Sequence, residues 1–297
     1  MHSAANPIET SVKSTQIWDM NALIEDTSVI VSPPDVCMRL EALTRSGTAD
    51  VQAFCEVISL DPNLTAQILR LANSASVGFR GRIDTVSRAV MVLGTDETLA
   101  LAYAAYAVAG FSRLRSSATD MNIFWQHATN VALIAKAIAK EQNVLHPERL
   151  FVAGLLHDLG SLLINYHHPG IANDLAARAG ASEQNLAELE LETFGFSHAE
   201  VGAALLEAWQ LPEALVSAVR DHHALPQARY HLETAILHVA DTLAAQFGAN
   251  YCIVPNDEAP IDPGVLACLD MHSEFDRCRY FDTVAPEFVK MVQALMV

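Results

Sequence analysis

One periodicity runs through nearly the whole chain. Apolar residues recur every three or four positions, as one face of an α-helix requires. No stretch alternates apolar and polar residues with the period of two that a half-buried strand shows. Val36, Leu40 and Leu43 set the pattern, followed by Val51, Phe54, Cys55 and Ile58, and then Leu64, Ile68, Leu69 and Leu71. Such a chain buries its apolar faces only by packing helix on helix, so the predicted fold class is all-α. Its 297 residues, 51% of them hydrophobic, suffice for two compact lobes.

Punctuation divides the pattern. Residues 1–28 read as an N-terminal tail, and Ser32-Pro33-Pro34 fixes an extended entry into the first lobe, 29–118. Thr48 is a candidate cap for the helix that follows it. Asp61-Pro62 is a helix start, a capping side chain followed by proline at the first helical position. Gly94 stops the helix from Thr85 to Leu93, and Thr95 begins an Ala-rich helix to about Ala109. The polar stretch from Ser112 to Asp120 marks a lobe boundary, and a second lobe spans 119–225. Pro147 opens a helix ending near His157-Asp158, where Gly160 reads as the stop. Ser197-His198-Ala199-Glu200 is a capping box. Residues 226–297 form a C-terminal extension, and its first helix, Leu232 to Phe247, completes the second bundle.

Composition excludes several functions. The formal charge is −17, with 18 basic against 35 acidic residues. Nucleic acid and anionic membrane are unexpected partners, since both bind chiefly through positive charge. Arg70, Arg80, Arg82 and Arg88 are the one basic concentration, and they either pair with acids of the second lobe or dock an acidic partner. The five cysteines form no C-x-x-C pair, which fits reduced thiols and a cytoplasmic location. The first twenty residues carry no apolar core of a secretory leader, and no apolar run is long enough to span a bilayer. No P-loop and no G-x-S-x-G elbow occurs.

Of 12 histidines, ten lie between His127 and His238. His157-Asp158 ends an apolar helix, where burying both without partners costs several kcal/mol. Candidate partners recur once per helical segment: His127 before the pair, His198 and then His222 or His223 after it, and Asp241 on the last helix. Imidazoles and carboxylates of this kind suit Fe, Mn, Zn or Ni. The alternative is a hydrogen-bonded cluster tying helices together. His198, in a first helical turn, is also compatible with facing solvent, and His222-His223 at a helix end with a dipole contact. His167-His168, before Pro169, reads as surface. Asn73-Ser74 reads as a helix-end turn rather than a ligand pair.

This series resembles the HD superfamily of metal-dependent phosphohydrolases and, more closely, the HDOD family of HD-related output domains in bacterial signalling. Asp61-Pro62, Leu69 to Ser74, Ile83 to Ala89 and Val92-Leu93-Gly94 resemble the HDOD amino-terminal lobe. Gly154 to Gly160, His198-x-x-x-Gly202, Trp209 to Pro212 and His222-His223 resemble the HD-like lobe. The resemblance covers residues 29–225 and continues to Asp241. It implies metal positions at His127, His157, Asp158, His198, His222 or His223, and Asp241. It implies a regulator acting on a protein partner in trans, without robust catalysis. Active relatives often carry lysine where this chain has Ser161, and no Gly-Tyr-Pro signature of cyclic-di-GMP phosphodiesterases occurs. The alternatives are a metal-dependent phosphohydrolase, in which His157 and Asp158 would act, and a receptor that binds a cyclic nucleotide or other phosphoester without cleaving it.

Overall fold

The computed structural model describes residues 18–28, 35–46, 50–73, 83–112, 119–180, 182–224, 232–246 and 261–271, with short pieces between 279 and 292. The described residues form helices and no strand, as the periodicity predicts. In chain order these are α1 (Met20–Ser28), α2 (Asp35–Arg45), α3 (Val51–Ser59), α4 (Pro62–Asn73), α5 (Val86–Leu93) and α6 (Thr95–Phe111). Then come α7 (Met121–Glu141), α8 (Pro147–Leu156), α9 (Leu159–His167), α10 (Pro169–Ala179) and α11 (Glu183–Phe194). The last are α12 (His198–Ala208), α13 (Glu213–Asp221), α14 (Leu232–Gln246) and α15 (Pro263–Cys268).

Local chemistry explains the helix starts. Asp61 Oδ1 accepts from the backbone N–H groups of Asn63 (2.8 Å) and Leu64 (3.1 Å), so the Asp-Pro pair opens α4 as its sequence indicates. Thr85 caps α5 through Arg88 N–H, and Gly94 ends it at φ 89°, a conformation only glycine adopts without strain. At α3 the cap is Asp50, which accepts from Gln52 N–H, while Thr48 lies outside the described residues. Carboxylate two residues nearer the helix replaces the expected hydroxyl. Asn73 has the structural role: its amide donates to the carbonyls of Leu69 (2.7 Å) and Ile83 (2.5 Å) and accepts from Ile83 N–H (2.7 Å). One side chain thus ties the end of α4 to the backbone of Ile83.

Helix α6 joins the two lobes. Leu99 to Ala105, Ala107, Val108 and Phe111 are all buried, so this helix is apolar on every side, as an interior helix must be. It packs against α2, α4 and α5 on one side and α8 on the other. Tyr103 stacks on Trp209 at the end of α12, with ring centroids 5.9 Å apart. Arg45 Nη2 donates to Gln210 Oε1 beside that contact. In the second lobe α7 is the central helix, flanked along its length by α8 and α14. Helix α12 lies between α9 and α13.

Residues 20–28, expected as tail, instead form α1, because Leu23 is buried where α1 meets α9 and α12. Trp18 sets its indole edge-on to His168 (4.6 Å) and Phe194 (5.1 Å). His168 is therefore packed between aromatic rings and is not a free surface residue. Cys37, Cys55 and Cys268 are free thiols, and burial pushes Cys37 up to about 12, with Asp61 adding to the shift.

Gly160 corrects a further expectation. The helix does not stop there; it resumes at Leu159, and Gly160 lies inside α9. Its role is close approach. A Cβ at 160 would stand 2.0 Å from His198 O and 2.6 Å from Gly202 N, both backbone atoms of α12. Gly154 similarly faces the backbone of Ala132 in α7, at 2.5 Å. Rigid neighbours cannot relieve such clashes by changing rotamer. Gly160→Ala is therefore expected to lower unfolding free energy by about 2 kcal/mol or more. Gly170→Ala, with nothing within 4 Å of the added carbon, should be neutral or stabilising. Urea titration of both variants checks the contrast; equal stability would contradict the close-packing account.

Candidate metal centre

Five segments of the second lobe deliver the centre. His127 projects from α7 and Asp241 from α14, and His127 Nε2 lies 3.1 Å from Asp241 Oδ1. His157 and Asp158 occupy the break between α8 and α9. Asp158 stands at the N-cap position of α9, yet its carboxylate makes no capping hydrogen bond. It turns toward the histidines, with Oδ2 3.6 Å from His157 Nε2 and Oδ1 3.5 Å from His198 Nε2. His198 is the first residue of α12, behind the capping box of Ser197 and Glu200. His222 and His223 follow α13.

The structure brings every sequence-predicted site residue into this one cluster. Ring centroids of His157 and His222 are 5.3 Å apart, those of His198 and His223 4.9 Å, and those of His222 and His223 3.9 Å. All seven side chains are buried; His127, His157 and His222 are at 0% exposure, and the least buried, His223, is at 6%. The solvent-facing alternative for His198 is overturned, because Gly160 and Gly202 let α9 and α12 close over it.

Hydrogen bonds on the outer side fix the tautomers. His157 Nδ1 donates to Gly154 O (2.8 Å) and His222 Nδ1 to Val219 O (2.6 Å). Carbonyl oxygens only accept, so both Nδ1 atoms carry a proton, and in the neutral ring the lone pair lies on the inward-facing Nε2. His198 Nδ1 bonds to Glu190 Oε2 at 2.6 Å. Glu190 is 3% exposed, and nothing local in the sequence separates it from Glu188 and Glu192 on the same helix. His238 Nδ1 donates to His222 O (2.9 Å) and steadies the segment after α13.

The electrostatics divide the histidines. Burial opposes charge on His157, but Asp158 and Asp241 outweigh it and its pKa is raised. At His198 burial is likewise outweighed, by Glu190 first and then Asp158, and the pKa rises to about 9. Burial and the neighbouring imidazoles push His222 down to about 3 and His223 well below its ordinary value. Asp158 and Asp241 are held below the ordinary carboxylate range; burial opposes this, but the surrounding imidazoles prevail.

Inward-facing nitrogen and oxygen donors that make no well-formed hydrogen bond fit a metal ion. The Nε2 atoms of His157, His198 and His222 and Oδ1 of Asp241 are buried with no hydrogen bond. Three sets hold donor atoms within 4.8 Å of one another: His127–His157–Asp158, His157–His222–Asp241 and His198–His222–His223. Leaving several such atoms unsatisfied would cost about 1–3 kcal/mol each. One or more ions shared by these sets would remove that cost.

The metal-free chain carries a testable signature. His198 has a folded pKa of about 9 against an ordinary value of 6.5, so its charge stabilises the fold fully below pH 6.5. That stabilisation is lost as pH rises through about 9. Denaturation of chelator-treated protein should give lower stability at pH 9.5 than at pH 7, with a shallower decline in His198→Gln. Identical pH profiles would contradict the assignment.

Comparison with known proteins places the family and the fold. The HDOD domain model matches residues 30–225. A Treponema pallidum protein of uncharacterised function is 28% identical over 232 residues, 76% of this chain. That match covers 44% of the relative, so this chain spans less than half its length. A Shewanella amazonensis structure provisionally named a phosphohydrolase aligns with a TM-score of 0.69 and 26% identity, over 93% of this chain and 100% of that one. A Marinobacter aquaeolei structure provisionally named a signal transduction protein aligns with a TM-score of 0.67 and 22% identity, over 92% of this chain and 61% of that one. With two thirds of its length matched by the family model and its helices in the same arrangement, the chain belongs to the HDOD domain family.

Proposed function

We propose that this chain is a bacterial signalling protein that works through contacts with a protein partner in trans, its buried centre holding metal as a clamp rather than as a catalyst. The observation that carries the reading is burial. Every candidate ligand is present, yet none except His223 is more than 4% exposed on its side chain or by residue. Among the described residues, His157 and Asp158 are closed off from solvent, which leaves a phosphoester no exposed ligand to meet there. The adjacent cavity, about 340 Å³, reaches only His223 and is lined also by Glu188, Glu200, Asp221 and Arg220. Arg220 pairs with Glu207 and, at 3.7 Å, with Glu213. Three carboxylates and an occupied guanidinium are a poor seat for a phosphate.

His127, His157, Asp158, His198, His222 and Asp241 would hold Fe, Mn, Zn or Ni, with His223 at the edge. Bound metal would supply Lewis acidity together with bonds that cross-link α7, the α8–α9 break, α12, the end of α13 and α14. The residues themselves set the rest. Gly154, Val219 and Glu190 aim three imidazoles inward, and Asp158 sits between His157 and His198, where one carboxylate serves both sides. Ser161 stands, 4% exposed, where active relatives often carry lysine, so the cationic support for a transferring phosphate is missing. The first lobe is the proposed partner surface. Arg70 and Arg88 are exposed there, while Arg80 and Arg82 lie outside the described residues.

A second reading, a metal-dependent phosphohydrolase, is favoured by the bridging position of Asp158 between two histidine sets. The two separate cleanly in one experiment. Chelation should lower the melting temperature, and re-addition of Mn or Zn should restore it in proportion to occupancy. Model phosphodiesters should turn over at the buffer rate throughout. Metal-dependent hydrolysis that Asp158→Ala abolishes while the fold survives would replace the clamp with the enzyme.

A further inference from the structure

Each of three inward-facing imidazoles needs an acceptor behind its Nδ1. For His157 and His222 that acceptor is a carbonyl three residues upstream, in the last turn of α8 and of α13. His198 cannot use this device. It opens α12, and the residue three positions earlier is Gly195, in a left-handed turn at φ 86°. A side chain from α11 takes the place instead. Glu190 Oε2 accepts from His198 Nδ1 at 2.6 Å and from His198 N–H at 2.8 Å. We propose that Glu190 is a positioning residue of the metal centre: it fixes the tautomer and ring orientation of His198 so that Nε2 faces Asp158 Oδ1, and thereby sets metal affinity on the His198 side.

A purely structural role, stapling α11 to α12, explains less. The start of α12 is already capped. Ser197 Oγ accepts from Glu200 N–H, and Glu200 Oε2 accepts from Ser197 N–H at 2.8 Å. A neutral side chain would serve a staple as well, whereas a fully buried carboxylate is costly unless its charge is used. The charge-assisted bond to an imidazole N–H is the stronger use, and carboxylates behind metal-bound histidines orient their ligands in this way. Glu190 is also the one charged acceptor among the three, so the His198 side is held by a different element from the one that carries it. Displacing α11 would release His198 while leaving His157 and His222 in place.

The inference rests on the reading that the centre holds metal, and one experiment distinguishes failure of either. Full-length protein is stripped of metal and titrated with Zn against a chromophoric chelator. Wild type, Glu190→Gln, Glu190→Ala and the exposed-neighbour control Glu188→Gln are compared. Glu190→Gln keeps an accepting oxygen and removes the charge; it should weaken Zn binding about tenfold, and Glu190→Ala up to about a hundredfold. Glu188→Gln should match wild type. In long-range proton–nitrogen spectra of the metal-free protein at pH 10, where the ring is neutral, His198 should carry its proton on Nδ1 in wild type and populate both tautomers in Glu190→Ala. No Zn uptake by wild type overturns the metal reading itself. Wild-type binding with Glu190→Gln within twofold of it overturns the role of Glu190 alone, even if Glu190→Ala fails to fold.

Discussion

Six or more ionisable side chains sit in the middle of an apolar helix bundle, and the rest of the second lobe is arranged around that fact. His127, His157, Asp158, His198, His222 and Asp241 are all essentially excluded from water. Burial of this kind is unfavourable unless each group finds a partner. Outer partners are present for three of the imidazoles: Gly154 O, Val219 O and Glu190 hold the Nδ1 atoms of His157, His222 and His198. The inner atoms face one another at 3.1–3.6 Å across a space that favours a cation.

Close backbone packing makes that space. Gly160 lets α9 approach His198 and Gly202 of α12, and Gly154 lets α8 approach Ala132 of α7. The two contacts draw the His157–Asp158 break toward α7 on one side and α12 on the other. The far end of α12 touches the first lobe. Trp209 stacks on Tyr103 of α6, and Gln210, at φ 58°, accepts from Arg45 of α2. Helix α13 starts just beyond this join and ends at His222-His223.

Much of this was legible in the sequence because helix period, caps and a recurring His/Asp pattern are local signals. Asp61-Pro62, Thr85 to Gly94 and the Ser197–Glu200 box each specify a boundary from a few neighbouring residues. The centre was legible because its residue types repeat once per helix. Glu190 was not, since its role depends on α11 lying beside the start of α12, and three alternating glutamates look alike in one dimension. Gly160 was misread for the same reason: a glycine near a helix end suggests a stop, and only the neighbouring backbone shows that it marks a close approach. The helix at 20–28 was hidden because its packing surface lies on α9 and α12, far away in the chain.

The central claim is that this buried set holds metal. Elemental analysis per chain tests it most directly, on full-length protein purified without chelator or immobilised nickel and compared with His157→Ala. The account predicts one or two transition-metal ions per wild-type chain and a marked loss in the variant. Well-folded wild-type protein that carries no ion and takes up none from added Fe, Mn or Zn would contradict it.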